Sequence, residues 1–237
     1  MNFDKSAYNY YISSDHKTGD DLNLLAEYFA NKKFRAVLDI ATAAGHCAKA
    51  FKSEKYYFSD ISINMLNQVK HHFPYPLLML NSAENIPVKN SAFDLVSCRI
   101  ALHHFKHPHT FFQEAGRVLK QTGFLIVVDS VVDKDDAYLN TIEFIRDSSH
   151  IRSYTIKELV EMFAGKFRCE FQKIIYKKHD FDEWAKRLMP SEIRLNKIKN
   201  SFLNLPKHMK YELNLETNGD KILSYTDKKI ILILRKL

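Results

Sequence analysis

The segment Arg35-Ala-Val-Leu-Asp-Ile-Ala-Thr-Ala-Ala-Gly-His46 constrains the fold more than any other stretch. An apolar run closes on a carboxylate, Asp39, and gives way to a series of very small side chains. Small residues at a strand-to-helix turn let backbone approach a ligand closely, and the N–H groups at the start of the helix point at it. A second acidic strand end follows at Asp60, in Tyr56-Tyr-Phe-Ser-Asp-Ile-Ser62. It lies one strand–helix–strand unit downstream, where a carboxylate can take both hydroxyls of a ribose. Together the two strand ends imply a nucleoside-bearing ligand on a parallel α/β sheet.

The periodicity extends this reading along the chain. Strands are expected at 36–41, 56–60, 77–81, 93–98 and 123–129, alternating with helices near 45–52, 63–72 and 109–120. Such alternation implies parallel strands covered on both faces. Asp135–Asp147 and Thr155–Ala164 read as helices, and Phe167–Tyr176 and Lys229–Arg235 as the last strands. Residues 1–20 hold three tyrosines without regular spacing, and Asp20-Asp21 caps a helix running through Leu22, Leu25, Ala26 and Phe29. Between the last two strands, residues 177–228 form an insertion with helical pattern, Pro190, Pro206 and a hairpin-like Asn218-Gly219. Connections of that length are usually functional.

Composition narrows the class. At 237 residues and 46% hydrophobic content the chain reads as a single domain, 1–237, with one core. Three scattered cysteines, Cys47, Cys98 and Cys169, form neither a disulfide framework nor a zinc pattern, which implies a reducing compartment. No segment approaches the roughly 20 apolar residues that span a bilayer, so a cytoplasmic protein is expected. The net charge is +7, with 14 Lys/Arg against 8 Asp/Glu over residues 177–237. These positives are interspersed with acids and lack a basic-aromatic motif, which argues against nucleic acid as a partner.

Further segments carry a resemblance. Asn81-Ser-Ala-Glu-Asn-Ile-Pro87, Ala92-Phe-Asp-Leu-Val-Ser-Cys98, His103-His-Phe105, Phe111-Phe-Gln-Glu-Ala-Gly-Arg-Val-Leu119 and Lys120-Gln-Thr-Gly-Phe-Leu-Ile-Val-Val128 follow in order. In that order they resemble the class I S-adenosylmethionine-dependent methyltransferases, specifically the type 11 group that includes ubiquinone and menaquinone biosynthesis enzymes. Tyr11-Ile-Ser-Ser-Asp-His-Lys-Thr-Gly-Asp-Asp-Leu22, Arg146–Thr155, Phe181-Asp-Glu-Trp184 and Asn218–Thr226 are similar to one of its subgroups. The resemblance implies a Rossmann-like fold: a seven-stranded, mostly parallel sheet with helices on both faces and a last antiparallel strand. It also implies that 1–20 caps the substrate and that 177–228 forms a lid.

It implies site residues as well. Asp39 orients the first loop, and Ala41, Ala43 and Gly45 stand at the three positions of the usual Gly-x-Gly-x-Gly. Only the third is glycine here, and alanine disfavours a positive φ by about 1–2 kcal/mol. Asp60 takes the ribose, with Ile61 and Met65 covering the adenine. Ser82-Ala83-Glu84 stands where relatives carry Asp-Ala-Glu, so a weaker, neutral acceptor replaces a charged one. Arg99 completes the cofactor set. The cofactor implied is S-adenosyl-L-methionine, leaving as S-adenosyl-L-homocysteine, with no metal required.

At the chemical end, His103 and His104 follow the fourth strand, where open α/β sheets place ligands. Either imidazole can serve as a general base, its pKa lying near the working pH. His107 and His109 extend the cluster without a carboxylate or cysteine pattern to complete a metal site. Arg146-Asp-Ser-Ser-His-Ile-Arg152 either clamps an anionic or carbonyl-bearing substrate or forms a structural network with Glu143 and Glu158. Trp184, Tyr10, Tyr11 and Phe181 wall an apolar acceptor pocket or pack under the lid. The expected activity is methyl transfer to oxygen or carbon of a small, partly apolar acceptor by a monomer or homodimer. RNA or protein methylation, or a non-catalytic relative with weakened cofactor binding, are the alternatives.

Overall fold

The computed structural model describes residues 2–133 and 137–237. Eight strands form one sheet: β1 (Lys33–Ile40), β2 (Lys52–Asp60), β3 (Leu77–Leu80), β4 (Phe93–Arg99), β5 (Leu119–Ser130), β6 (Phe167–Asp180), β7 (Glu216–Asn218) and β8 (Lys221–Lys236). Their order is β3-β2-β1-β4-β5-β8-β6, with the short β7 pairing β8 as an additional strand. β1 to β5 pair parallel, and β8 enters antiparallel between β5 and β6. This is the α/β Rossmann-like sheet expected from the sequence, with β7 added to the expected seven strands.

Alternation along β5 and β8 explains the near-continuous apolar runs. Leu125, Val127, Leu232 and Leu234 face one cluster, with Phe111, Phe112 and Leu159 from helices α5 (Pro108–Val118) and α7 (Ile156–Phe163). Ile126, Val128, Ile231 and Ile233 face the other, with Leu25 of helix α3 (Asp20–Tyr28) and Phe29. A sheet buried on both sides needs apolar residues at every position. Thr155 caps α7 with a full capping box: its hydroxyl accepts from Glu158 N, and Glu158 Oε2 accepts from Thr155 N.

Several boundaries differ from the sequence reading. The helix expected at 45–52 is a single 3₁₀ turn, Cys47–Ala50, because β2 already begins at Lys52, paired with Lys33. Helix α4 (Ile63–Val69) stops short of 72, where tight turns carry the chain to Phe73-Pro74. Residues 2–12 and 14–17 are helical, α1 (Asn2–Ile12) and α2 (Ser14–Lys17), despite their irregular patterning. Helix α6 is Ala137–Arg146, and the predicted start at Asp135 lies outside the described residues. Asp21 is no cap: it is 3% exposed and turned inward onto Arg99.

The segment between the last two strands is shorter than 177–228. The β6–β8 ladder continues through Lys177↔Asp227, His179↔Tyr225 and Asp180↔Ser224, so the inserted chain is 181–220. These strand ends look polar in sequence, yet His179, Tyr225 and Asp227 are buried. Helices α8 (Phe181–Lys186), α9 (Glu192–Leu203) and α10 (Lys207–Glu212) then build a separate hydrophobic cluster around Trp184, Phe202 and Tyr225, joined by Leu139 and Ile142 of α6. It sits beyond the carboxyl ends of the parallel strands.

Candidate active site

The loop after β1 is held from both sides. Asp39, 1% exposed, accepts hydrogen bonds from Thr42 Oγ1 at 2.5 Å and Ser97 Oγ at 2.6 Å. Burial pushes its carboxyl up to about 6, against the pull of those hydroxyls. Asp60 Oδ2 accepts from Ala43 N at 3.0 Å and Oδ1 from Ser62 N at 2.9 Å, tying the two acidic strand ends into one cradle. Ala41 and Ala43 both adopt φ of 49°, and Gly45 a φ of 79°. The alanines therefore occupy the left-handed region that glycine fills in the usual motif, at about 1 kcal/mol or more each.

A cavity of about 360 Å³ opens over this cradle. Ala41, Ala43, Asp60, Ile61, Met65, Ser82, Ala83, Glu84 and His104 all line it. Ser82 Oγ accepts from Glu84 N at 3.2 Å, and Glu84 Oε1 accepts from His107 N at 2.6 Å, so Glu84 also ties this loop to the start of α5. Four predicted residues lie elsewhere. Asp39 lines a small recess of about 40 Å³ behind the loop, and Arg99 borders that recess. Gly45 faces Val69, Phe58 and Phe73 instead of a cavity. His103 lines a second large cavity.

Gly45 thus serves the turn. A Cβ there would stand 3.4 Å from Phe73 and Val69 at an unfavourable φ. Gly45→Ala is expected to lower stability by about 1–2 kcal/mol, read as a lower urea midpoint; an unchanged midpoint would show that the turn tolerates a side chain.

The second cavity, about 150 Å³, lies between the strand ends and the inserted helices. Tyr10, Ile100 and His104 line both. Little in the sequence marks Tyr10 or Ile100 as shared by the two cavities: Tyr10 sits in an aperiodic stretch, and the φ of 56° at Ile100, unexpected for a β-branched residue, shows only in the fold. Such strain clusters at ligand sites.

His103 Nδ1 lies 2.5 Å from Asp129 Oδ1, whose carboxylate also accepts from Ala101 N and Ser130 N. Burial opposes charging His103, but the Asp129 carboxylate prevails and raises its pKa. The ring of His104 packs against that of His103, tilted by 50° with centroids 4.2 Å apart, and Ser149 Oγ lies 3.1 Å from its Nδ1. Burial, then the neighbouring His103, push His104 down to about 3, so it is neutral at pH 7. His150, 5.2 Å from His103 and bonded to Asn140, is pushed down to about 4 by burial. His107 and His109 are absent from the lining of either cavity.

Deeper in the second cavity, Asp227 takes Lys229 Nζ at 2.9 Å and His179 Nε2 at 3.0 Å. Arg99 reaches the Asp21 carboxylate at 2.5 Å and the carbonyl of His16 at 3.1 Å, docking the N-terminal segment on β4. Arg152, grouped with Arg146 in the sequence, pairs with Glu158 at 3.0 Å and borders neither cavity. Among the described residues, no helix is long and apolar enough to cross a membrane.

Residues 38–127 match the methyltransferase domain family. The uncharacterized methyltransferase YcgJ of Bacillus subtilis is 30% identical over 201 residues, 78% of each chain. A crystal structure from Bacillus halodurans C-125 superposes with a TM-score of 0.85 at 28% identity, over 92% of this chain and 99% of the other. The N-methyltransferase NodS from Bradyrhizobium japonicum, in complex with S-adenosyl-L-homocysteine, shares the fold at a TM-score of 0.60 and 10% identity, over 100% and 99% of the two chains. By sequence over most of its length and by fold, this chain belongs to the class I methyltransferases of the type 11 domain family.

Proposed function

We propose that the protein moves a methyl group from S-adenosyl-L-methionine, in the 360 Å³ cavity, to oxygen or carbon of a small acceptor in the adjoining one. The observation that carries this reading is the pairing of the two cavities through Tyr10, Ile100 and His104. The lining fits an adenosyl amino acid. Asp60 offers a carboxylate at the end of β2, Ile61 and Met65 offer apolar faces to a base, and the Ala41–Ala43 loop offers backbone. The fold is also that of a protein whose structure holds S-adenosyl-L-homocysteine.

The bound cofactor supplies an electrophilic methyl on a sulfonium. The chain's own residues align and shield the reactants, which is the main requirement of an in-line displacement. Asp129 fixes the proton of His103 on Nδ1 and leaves Nε2 as the ring nitrogen for the acceptor cavity. Strengthened by that carboxylate, His103 is the better base of the pair. His104, neutral and weakly basic, orients the acceptor at the junction. The helices of 181–220 and the N-terminal segment act as lid and cap. A cavity of about 150 Å³ is of a size for a small molecule.

Calorimetric titration with S-adenosyl-L-homocysteine tests the cofactor reading directly, and micromolar binding is expected. Asp60→Ala is expected to weaken it by about 1–3 kcal/mol, or roughly 5- to 150-fold, through lost charge-assisted hydrogen bonds. An unchanged affinity would remove Asp60 from the site, and no binding by the wild type would overturn the cofactor assignment.

A further inference from the structure

The acceptor cavity is unusual in the charge that lines it. Arg146, at the end of α6, is 7% exposed, and its guanidinium stacks 4.5 Å over the Trp184 ring. Nε donates to Trp184 O at 3.1 Å and Nη1 to Glu143 Oε2 at 3.3 Å. Nη2 donates to no described residue and is not sealed within protein, while the side chain lines the cavity. Lys229, 6% exposed, spends two bonds on Asp227 and Ser130 and has a third N–H to give. Of the carboxylates lining the cavity, Asp227 is engaged by Lys229 and His179, Glu143 by Arg146 and Asp21 by Arg99, while Asp20 is exposed.

A buried guanidinium with unused donors is stabilised by an anion more than by any neutral group, since charge-assisted hydrogen bonds are roughly twice as strong. Resting on the cofactor reading above, we propose that the methyl acceptor is a small anion, bearing a carboxylate or a phosphate monoester that Arg146 receives through its Nη edge. Lys229 adds positive charge to the same space, and the atom that takes the methyl lies at the Tyr10–Ile100–His104 junction. Cavity size sets the scale, because a cavity of about 150 Å³ accommodates a single benzene ring.

Single-ring probes test this. Benzoate and phenyl phosphate, with benzamide and benzyl alcohol as neutral counterparts, are titrated calorimetrically into protein saturated with S-adenosyl-L-homocysteine. At least one anion is expected to bind tenfold or more tightly than its neutral counterpart, and which anion does so separates carboxylate from phosphate recognition. Arg146→Gln is expected to erase that preference to within threefold while leaving S-adenosyl-L-homocysteine affinity within twofold. Arg146→Lys should keep part of it, losing the planar fork but not the charge. Equal binding of neutral and anionic probes, no binding of either anion, or a preference that survives Arg146→Gln would each overturn the proposal. If Arg146→Gln does not fold, the wild-type comparison and Arg146→Lys decide it. Failure of S-adenosyl-L-homocysteine itself to bind counts against the cofactor reading, which this design separates from the acceptor class.

Discussion

Between pH 7 and pH 5 two buried imidazoles are expected to withdraw about 4 kcal/mol of stability from the fold. The loss comes from His46 and His150, 6% and 3% exposed, whose imidazoles are pushed down to about 4. Burial is the main cause in both, joined by His72 beside His46 and by His103 beside His150. Their Nε2 atoms bond Tyr11 O at 3.1 Å and Asn140 Oδ1 at 3.0 Å. A histidine held neutral in the fold binds a proton more readily when unfolded. Its stability is therefore complete above an unfolded pKa of about 6.5 and falls with pH until the folded value is reached, by about 2 kcal/mol per group at pH 5. His104 acts in the same direction. His103 and Asp39 oppose, since a raised pKa stabilises the fold toward low pH and that contribution fades as pH rises. Urea midpoints at pH 7, 6 and 5 check the result, and His46→Gln should remove about half of the loss assigned to the two. A pH 7-to-5 change in midpoint that His46→Gln leaves unaltered would show that this imidazole is not held neutral.

The parts of the fold legible in the sequence are those encoded by local periodicity. Val37-Leu38, Leu95-Val96 and Leu125–Val128 are apolar at consecutive positions because both sheet faces are covered, and their strands follow directly from that pattern. The Asp39 and Asp60 strand ends are equally visible, since short spacing fixes both residues at the carboxyl edge. What the pattern did not carry depends on long-range pairing. The polar ends of β6 and β8 read as insertion because the burial of His179 and Asp227 involves pairing between residues 48 positions apart. The helicity of 2–17 follows from docking and not from an apolar stripe, with Asn9 bonded to Arg187 O and Ser14 to Glu183 across nearly the whole chain. Arg99 illustrates the same limit within the site: its position after β4 suggested a ligand contact, whereas its partner is a carboxylate 78 residues earlier.

Asp21→Ala is expected to destabilise the protein by about 3–5 kcal/mol, because it leaves a buried cation without its counter-charge. The Arg99 and Asp21 side chains are 6% and 4% exposed, with Nε and Nη2 reaching the two carboxylate oxygens at 2.5 and 3.2 Å. The pair joins α3 to the end of β4, and Nη1 reaches on to His16 O, so the ion pair is one of the tethers of the N-terminal segment. Gly19 belongs to the same device: a Cβ there would lie 2.4 Å from Asp21 Oδ1 and displace the carboxylate. The effect is also expected at the ligand site, since Tyr10 and His16 line the cavities that Arg99 borders. A double variant, Asp21→Leu with Arg99→Met, separates the penalty of an orphaned charge from the worth of the pair. Replacing both partners with apolar side chains should recover most of the stability lost on removing one. Weaker S-adenosyl-L-homocysteine binding should persist in that double variant if the ion pair serves mainly to seat the N-terminal segment. A loss below about 1 kcal/mol for Asp21→Ala would place Arg99 in contact with water and remove the pair as a tether.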